Sequence, residues 1–243
     1  MRLTRVYLDS EIHTEQLLLL PVEQSHHLAR VLRMRVGQDI HLFNGKGGYY
    51  ISEINSIQKQ GVSVIPRAYI QADRESSLRI TLAQGISRGR HMDYTIQKAI
   101  ELGVHSLVPL ITEHSNFQSS DSKLDNKMQH WQKIIISACE QCGRNTLTEI
   151  TSPMNLDDLL ETKLEVIKII LEPSSGQPLS SVSTNPGDII IISGPEGGFS
   201  TGELEKAYRQ GCIPVRLGPR VLRTETAAVA AISACQMLWG DFK

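Results

Sequence analysis

The chain has 243 residues, 40% hydrophobic and 21% charged, with a formal net charge of −1. That is enough for one large domain or two modest ones with buried cores, and the balanced charge excludes a protein that holds nucleic acid through its overall field. No apolar run approaches the ~20 residues of a membrane span, and Met1-Arg2-Leu3-Thr4-Arg5 lacks a signal-peptide apolar region, so no membrane contact and a cytoplasmic location are expected.

Up to about Ile70 the pattern is mostly short strands, at residues 6–8, 17–20, 39–43, 49–57 and 62–66. Asn44-Gly45-Lys46-Gly47-Gly48 makes a turn between two of them, and a helix is expected over residues 25–32. Together these predict a small barrel-like β-domain. Arg30 and Arg33 lie three apart, on one helical face, and Arg35 follows at the exit. Solvated charge is the plain reading of such a face, and a local RNA contact is the functional one.

Residues 71–77 are polar and read as a linker, after which strands and helices alternate. Strands are expected at residues 78–86, 104–111, 166–171, 188–193 and 214–217. Helical spacing is carried by Ile96, Ala99, Ile100 and Gly103, and again by Trp131, Ile134, Ile135, Ala138 and Cys142. The alternation predicts a mainly parallel sheet covered by helices on both faces. The domain boundary is expected between residues 72 and 73, giving a β-domain over 1–72 and an α/β domain over 73–243.

Cys139 and Cys142 form a C-x-x-C, which raises the question of zinc or redox chemistry. No second C-x-x-C or His-x-x-x-His completes a metal site, and the pair falls late in a helical pattern rather than at a helix N-terminus. Packing is the expected role of these cysteines and of Cys212 and Cys235; no metal is expected.

Two loops near the C-terminus carry the functional signal, each leaving an apolar segment and entering a helical pattern. Open α/β sheets place ligands at such strand ends. In Gly194-Pro195-Glu196-Gly197-Gly198 the glycines let the backbone turn and approach a ligand closely, while Ser200 and Glu203 form a capping box that fixes the next helix start. The loop has neither a P-loop ending nor Gly-x-Gly-x-x-Gly spacing. A carboxylate at Glu196 would repel phosphate but suit a cation, ribose hydroxyls or an amino group. S-adenosylmethionine offers those features and no phosphate. In the second loop, Arg220 and Arg223 precede a helix expected to be capped by Thr224, where positive charge is disfavoured. Their guanidinium groups suit an anionic partner; the alternative is a pairing of Arg223 with Glu225 or Glu196.

Several segments, in this order, carry a resemblance: His26-His27-Leu28-Ala29-Arg30-Val31-Leu32-Arg33, Gln97-Lys98-Ala99-Ile100-Glu101-Leu102-Gly103 and Glu140-Gln141-Cys142-Gly143-Arg144. After them come Gly194-Pro195-Glu196-Gly197-Gly198-Phe199, then Leu217-Gly218 and Leu222-Arg223-Thr224-Glu225-Thr226-Ala227. Over nearly its whole length the chain resembles the bacterial RsmE methyltransferases of the SPOUT superfamily. The resemblance implies a PUA-like N-terminal RNA-binding β-barrel and a SPOUT-type α/β domain with a deep trefoil knot, assembled as a homodimer. It also implies methylation of N3 of one uridine in the decoding region of 16S rRNA of the small ribosomal subunit, with S-adenosylmethionine as cofactor. By the same resemblance, Leu171, Glu172, Gly194, Glu196, Gly197, Gly198, Leu217, Gly218, Leu222 and Thr226 would line the cofactor pocket. Arg223 would face the substrate. RNA contacts fall to Arg2, Arg5, Arg30, Arg33 and Arg144. The chain departs from the pattern at His114, where arginine is expected in many relatives, and in Asn145-Thr146-Leu147-Thr148 after Arg144.

For such a reaction most catalysis comes from positioning. An arginine would stabilise charge developing on the uracil oxygen, and a carboxylate such as Glu225, or water, would take the N3 proton. The base must be unpaired or flipped to expose N3. Two other classes stand beside this reading. One is a non-catalytic RNA-binding or ribosome-assembly protein; the other is a nicotinamide-dependent α/β enzyme, against which the missing Rossmann glycines argue.

Overall fold

A computed structural model describes residues 4–115, 121–162, 166–182 and 187–242. The chain divides into two compact units: the residues up to Glu75 together with Cys139–Leu147, and Ser76–Ala138 together with the chain from Thr148 onward.

The first unit contains β1 (Arg5–Tyr7), β2 (Leu18–Leu19), α1 (Val22–His26), β3 (Asp39–Phe43), β4 (Tyr49–Gln58) and β5 (Gly61–Ile70). They form one sheet in the order β1-β3-β4-β5-β2, parallel only between β1 and β3. Period-two alternation places Ile40 and Leu42 of β3 on the inner face, where they meet Val6, Leu28, Ile54, Val62 and Val64. β5 runs past the expected residue 66 because Pro66, which cannot donate to a ladder, falls at a register shift opposite Ile51 and Ser52. The expected helix starts earlier, at Val22, and passes into a π-helical turn over His27–Val31. There Leu32 N–H donates to His27 O, five residues back. Arg33 then takes φ 52°, which ends the helix.

The segment Cys139–Leu147 is tied into this unit by polar contacts. Glu140 Oε1 accepts from Tyr7 N–H at 2.9 Å, and Asn145 Nδ2 donates to Ala72 O at 2.9 Å. A sequence pattern read as contiguous domains has no means of assigning nine residues to a sheet that ends at Ile70, with residues 76–138 of the other unit in between.

The second unit contains β6 (Arg79–Gly85), α2 (Arg90–Glu101), β7 (Ser106–Ile111), α3 (Asp121–Cys142), β8 (Glu149–Ile150), β9 (Met154–Asn155) and α4 (Leu156–Glu161). After these come β10 (Ile167–Leu171), β11 (Gln177–Pro178), β12 (Asp188–Ser193), α5 (Thr201–Arg209), β13 (Ile213–Arg216) and α6 (Thr224–Trp239). The last turn of α3, from Cys139, belongs to the first unit. All strand pairs are parallel, in the order β11-β13-β10-β12-β6-β7-β8, with β9 beside β7. The central strands are continuous apolar runs because both faces are covered. Ile170, Ile190 and Ile192 face Leu159 and Leu160 of α4 and Ala207 of α5. On the opposite face α6 packs on β6 and β12 and against α2. Buried Lys168 donates to Leu160 O and Thr162 O, meeting carbonyls at the end of α4.

Parallel pairing has one consequence for function. The carboxyl ends of β13, β10, β12 and β6, neighbours in the sheet, all open on the same edge, so the loops leaving them converge. Among the described residues no helix is long and apolar enough to cross a membrane.

Candidate cofactor and substrate site

A cavity of about 590 Å³ lies at that edge, a volume in the range of small-molecule sites. Its walls come from the ends of β10, β12 and β13 and from the start of α6. Leu171, Phe199, Leu204, Val215, Leu217 and Leu222 supply apolar surface, suited to an adenine ring and a thioether chain.

The loop after β12 is shaped by its glycines. Gly198 has φ 68°, and its N–H closes a turn on Pro195 O at 3.0 Å. The capping box forms: Ser200 Oγ accepts from Glu203 N–H while Glu203 Oε2 accepts from Ser200 N–H at 2.8 Å. Glu203 Oε1 also accepts from Glu113 N–H at 2.9 Å. His114 stands 3.0 Å by Nδ1 from Gly197 O, directly on the glycine loop.

The acidic groups at the cavity are already engaged within the protein. Glu196 Oε1 accepts from Arg88 N–H at 2.8 Å. Glu225 Oε1 lies 3.1 Å from His91 Nδ1. Burial pushes the Glu172 carboxyl up, but hydrogen bonds from the Ser175 hydroxyl and the Ser174 and Ser175 N–H groups outweigh it and hold the group below its usual range. Glu172 is thus the centre of its own turn, which closes with Gly176 N–H on Glu172 O. The cationic groups are placed differently. Arg216, Arg220 and Arg223 line the cavity, and among the described residues none of their guanidinium groups forms a hydrogen bond or ion pair. The expected alternative for Arg223, pairing with Glu225 or Glu196, does not occur; Glu225 lies against His91 and Glu196 accepts from Arg88 N–H.

Leu171, Glu172, Gly194, Glu196, Gly198, Leu217 and Leu222 line the cavity together with Arg223 and Glu225. Gly197 and Gly218 belong to the same loops, and Thr226 to the first turn of α6, without lining it. Thr224 does not cap α6. Arg223 is the N-cap residue, with no side-chain cap bond, and the Thr224 hydroxyl instead donates to Gly194 O at 2.6 Å. A local capping pattern loses here to a tertiary partner. Nothing in the local sequence distinguishes His91 and Arg216 at the cavity from other surface residues.

The expected RNA-contacting residues separate into distinct settings. Arg30 and Arg33 are exposed on the first unit. Arg2 lies outside the described residues. Arg5 donates to Arg144 O at 2.9 Å and Asn145 Oδ1 at 2.6 Å, and its guanidinium lies 4.7 Å above the Phe43 ring. Arg144 is only 4% exposed and ion-paired with Glu75, with Nε 3.1 Å from Oε1. A guanidinium buried against a carboxylate is disposed toward that internal pair. The cysteines are free thiols, and burial pushes Cys235 up to about 12. No cluster of three potential metal ligands occurs among the described residues.

A parallel sheet whose strand-end glycine loops enclose an apolar, arginine-rimmed cavity defines an α/β enzyme of the nucleoside-cofactor type. The family profile described as an RNA methyltransferase domain matches residues 74–236, and an RNA methyltransferase PUA domain matches residues 20–67. A ribosomal RNA small subunit methyltransferase E from Buchnera aphidicola is 39% identical over all of this chain and 96% of its own length. That of Bacillus subtilis is 32% identical over 90% of this chain and 91% of its own. Among solved structures, a putative methyltransferase from Legionella pneumophila in complex with bound SAM superposes with TM-score 0.96 and 41% identity, covering all of both chains. The Neisseria gonorrhoeae ribosomal RNA small subunit methyltransferase E, bound to S-adenosyl methionine, gives 0.92 and 36%, again over all of both chains. The chain belongs to the ribosomal RNA small subunit methyltransferase E family.

Proposed function

We propose that this protein uses S-adenosylmethionine to methylate N3 of one uridine in the decoding region of 16S rRNA, acting on the small ribosomal subunit in the cytoplasm. The observation that carries the reading is the division of charge at the cavity. Glu172 and Glu196 accept from internal donors and Glu225 lies against His91, while the guanidinium groups of Arg216, Arg220 and Arg223 stand without protein partners at an apolar pocket. Such a site favours a nucleoside without phosphate inside and an anionic chain at the arginine rim.

When bound, S-adenosylmethionine supplies an activated methyl group on its sulfonium. The chain's own residues do the rest. The apolar walls of Leu171, Val215, Leu217 and Leu222 would exclude water from around the bound cofactor. Arg223 would stabilise the negative charge that spreads to a uracil oxygen as N3 loses its proton. Glu225 would receive that proton, with His91 holding its carboxylate in place. We also propose that the loops after β10, β12 and β13 are the threaded loops of a trefoil knot. The adjacency of these strands and the convergence of their loops support it.

The same reading includes a homodimer. α6 carries apolar residues on two sides: Ala228, Ala231, Ile232 and Cys235 are buried, while Met237 and Leu238 remain 61% and 45% exposed. A helix of that kind suits burial on both sides, and a second copy would cover the outer one. Residues 1–72 would then serve as the RNA-binding part and 73–243 as the methyltransferase part.

The test incubates the protein with labelled S-adenosylmethionine and small subunits lacking the modification, then identifies the product nucleoside by mass spectrometry. 3-Methyluridine at one position is expected; another methylated base would move the substrate, and no transfer would overturn the reading. For the first unit, replacing Arg30 and Arg33 together with alanine should weaken RNA binding and reduce its salt dependence by about one unit of slope per lost phosphate contact. The melting temperature should not change. An unaltered salt series would remove these residues from the interface.

A further inference from the structure

Gln84, near the end of β6, is 1% exposed and stands behind the cavity wall rather than in it. Its Nε2 lies 3.0 Å from Gly85 O, 3.2 Å from Gly194 O and 3.0 Å from Thr224 Oγ1. Because the Thr224 hydroxyl donates its hydrogen to Gly194 O, it can only accept from Gln84. Ser87 Oγ closes the group, 3.4 Å from Thr224 Oγ1 and donating to Gly85 O at 3.2 Å. A single buried amide therefore meets the loop that opens at Gly194 and the first residue of α6.

The other end of that amide is informative. Gln84 Oε1 is buried and has no protein partner. A buried carbonyl without a partner is destabilising, whereas an apolar side chain of the same length would fill the space without that cost. What the amide adds is its pair of donors, and these reach the cofactor loop and the start of the helix that carries Glu225, with Arg223 as its N-cap.

We propose that Gln84 is a positioning residue of the methyl-transfer site: with Thr224 it latches the 194–198 loop to the start of α6, fixing the cofactor side relative to Arg223 and Glu225. The inference rests on the methyltransferase reading above and deepens it. Methyl transfer depends on alignment, and a misplacement of about 1 Å can cost on the order of a hundredfold in rate. Loss of the latch should therefore reduce turnover more than cofactor affinity.

The test compares Gln84→Met, Thr224→Val, Thr224→Ser and the Gln84→Met/Thr224→Val double variant. Cofactor affinity is measured by calorimetry, and methyl transfer in a single turnover at saturating cofactor on unmodified small subunits. The Met and Val variants should slow transfer roughly tenfold to a hundredfold while the dissociation constant for S-adenosylmethionine changes less than about threefold. The double variant should be no slower than the worse single one, as expected for groups that act as a unit. Thr224→Ser, which keeps the hydroxyl, should recover most of the rate. Unchanged rates, rates that fall in proportion to affinity, or effects that multiply in the double variant would overturn the latch. Thr224→Val and Thr224→Ser leave β6 intact and carry the comparison if Gln84→Met does not fold. A wild-type protein that binds cofactor but methylates no subunit would overturn the functional reading instead. The latch is then decided by hydrogen exchange: it requires faster exchange of the 194–198 amides in Gln84→Met and Thr224→Val, and unchanged protection overturns it.

Discussion

Gly85→Ala is expected to weaken S-adenosylmethionine binding by on the order of a hundredfold while the protein still folds. The backbone of Gly85 lies in the ordinary strand region, so the substitution carries no dihedral penalty of the left-handed kind. The penalty comes from contact. A Cβ at this position would stand 2.5 Å from both Cδ and N of Pro195 and 2.9 Å from the carbonyl carbon of Gly194. These are backbone and ring atoms, with no flexible side-chain end to swing away, and the proline ring restricts how its own backbone can adjust. Overpacking of this sort costs about 1–3 kcal/mol when the neighbours can shift. Here the neighbour that must shift is the loop forming one wall of the cavity, and β6 is held between β12 and β7. The loop will move before the strand does. Calorimetric titration should show the cofactor dissociation constant raised by on the order of a hundredfold, with a cooperative melt retained. Wild-type affinity in the variant would mean that the close approach of β6 to the glycine loop has no bearing on the pocket.

The contrast between Gly85 and Gly194 shows which parts of this site could be read from sequence. Gly194, Gly197 and Gly198 cluster in five residues between an apolar run and a capping box, so local pattern alone marks a strand-to-helix loop, and the loop forms as read. Gly85 is one glycine at the end of another strand, over a hundred residues earlier. Its significance exists only because β6 and β12 pair in parallel and bring their carboxyl ends together. The same applies to His91 and Gln84, whose partners Glu225 and Thr224 are far along the chain. The buried strands were legible because a sheet covered on both faces needs continuous apolar runs such as residues 189–192. The short strands β8, β9 and β11 were not, since two residues carry no period. Thr224 has the composition of a cap and the local position of one, yet its hydroxyl is used thirty residues away in sequence. Where a polar side chain has both a local and a tertiary option, the sequence displays only the local one.

Arg144→Ala is expected to destabilise the protein by about 3 kcal/mol and to leave the salt dependence of RNA binding unchanged. Arg144 and Glu75 have side chains 5% and 22% exposed, and the guanidinium meets the carboxylate through both Nε and a terminal nitrogen. Burial lowers the Arg144 pKa and the bonds to Glu75 raise it, with the net effect upward, so the charged pair is held as a pair. Removing the arginine leaves the Glu75 carboxylate partly buried without its counter-charge, which costs more than the intact pair contributes. The residue also presents its main-chain carbonyl to Arg5 and precedes Asn145, which bonds Arg5 and Ala72. A collapse at position 144 therefore loosens the attachment of Cys139–Leu147 to the sheet of the first unit. Chemical unfolding should register the loss as a lower midpoint. Salt titrations of RNA binding, run well below the melting temperature, should keep the wild-type slope, because a guanidinium that never reached a phosphate releases no counterion. The Arg30 and Arg33 double variant should behave in the opposite way, losing slope without losing stability. An Arg144→Ala protein as stable as wild type, but with a shallower salt slope, would return Arg144 to the RNA-binding surface and require the Glu75 pair to open in solution.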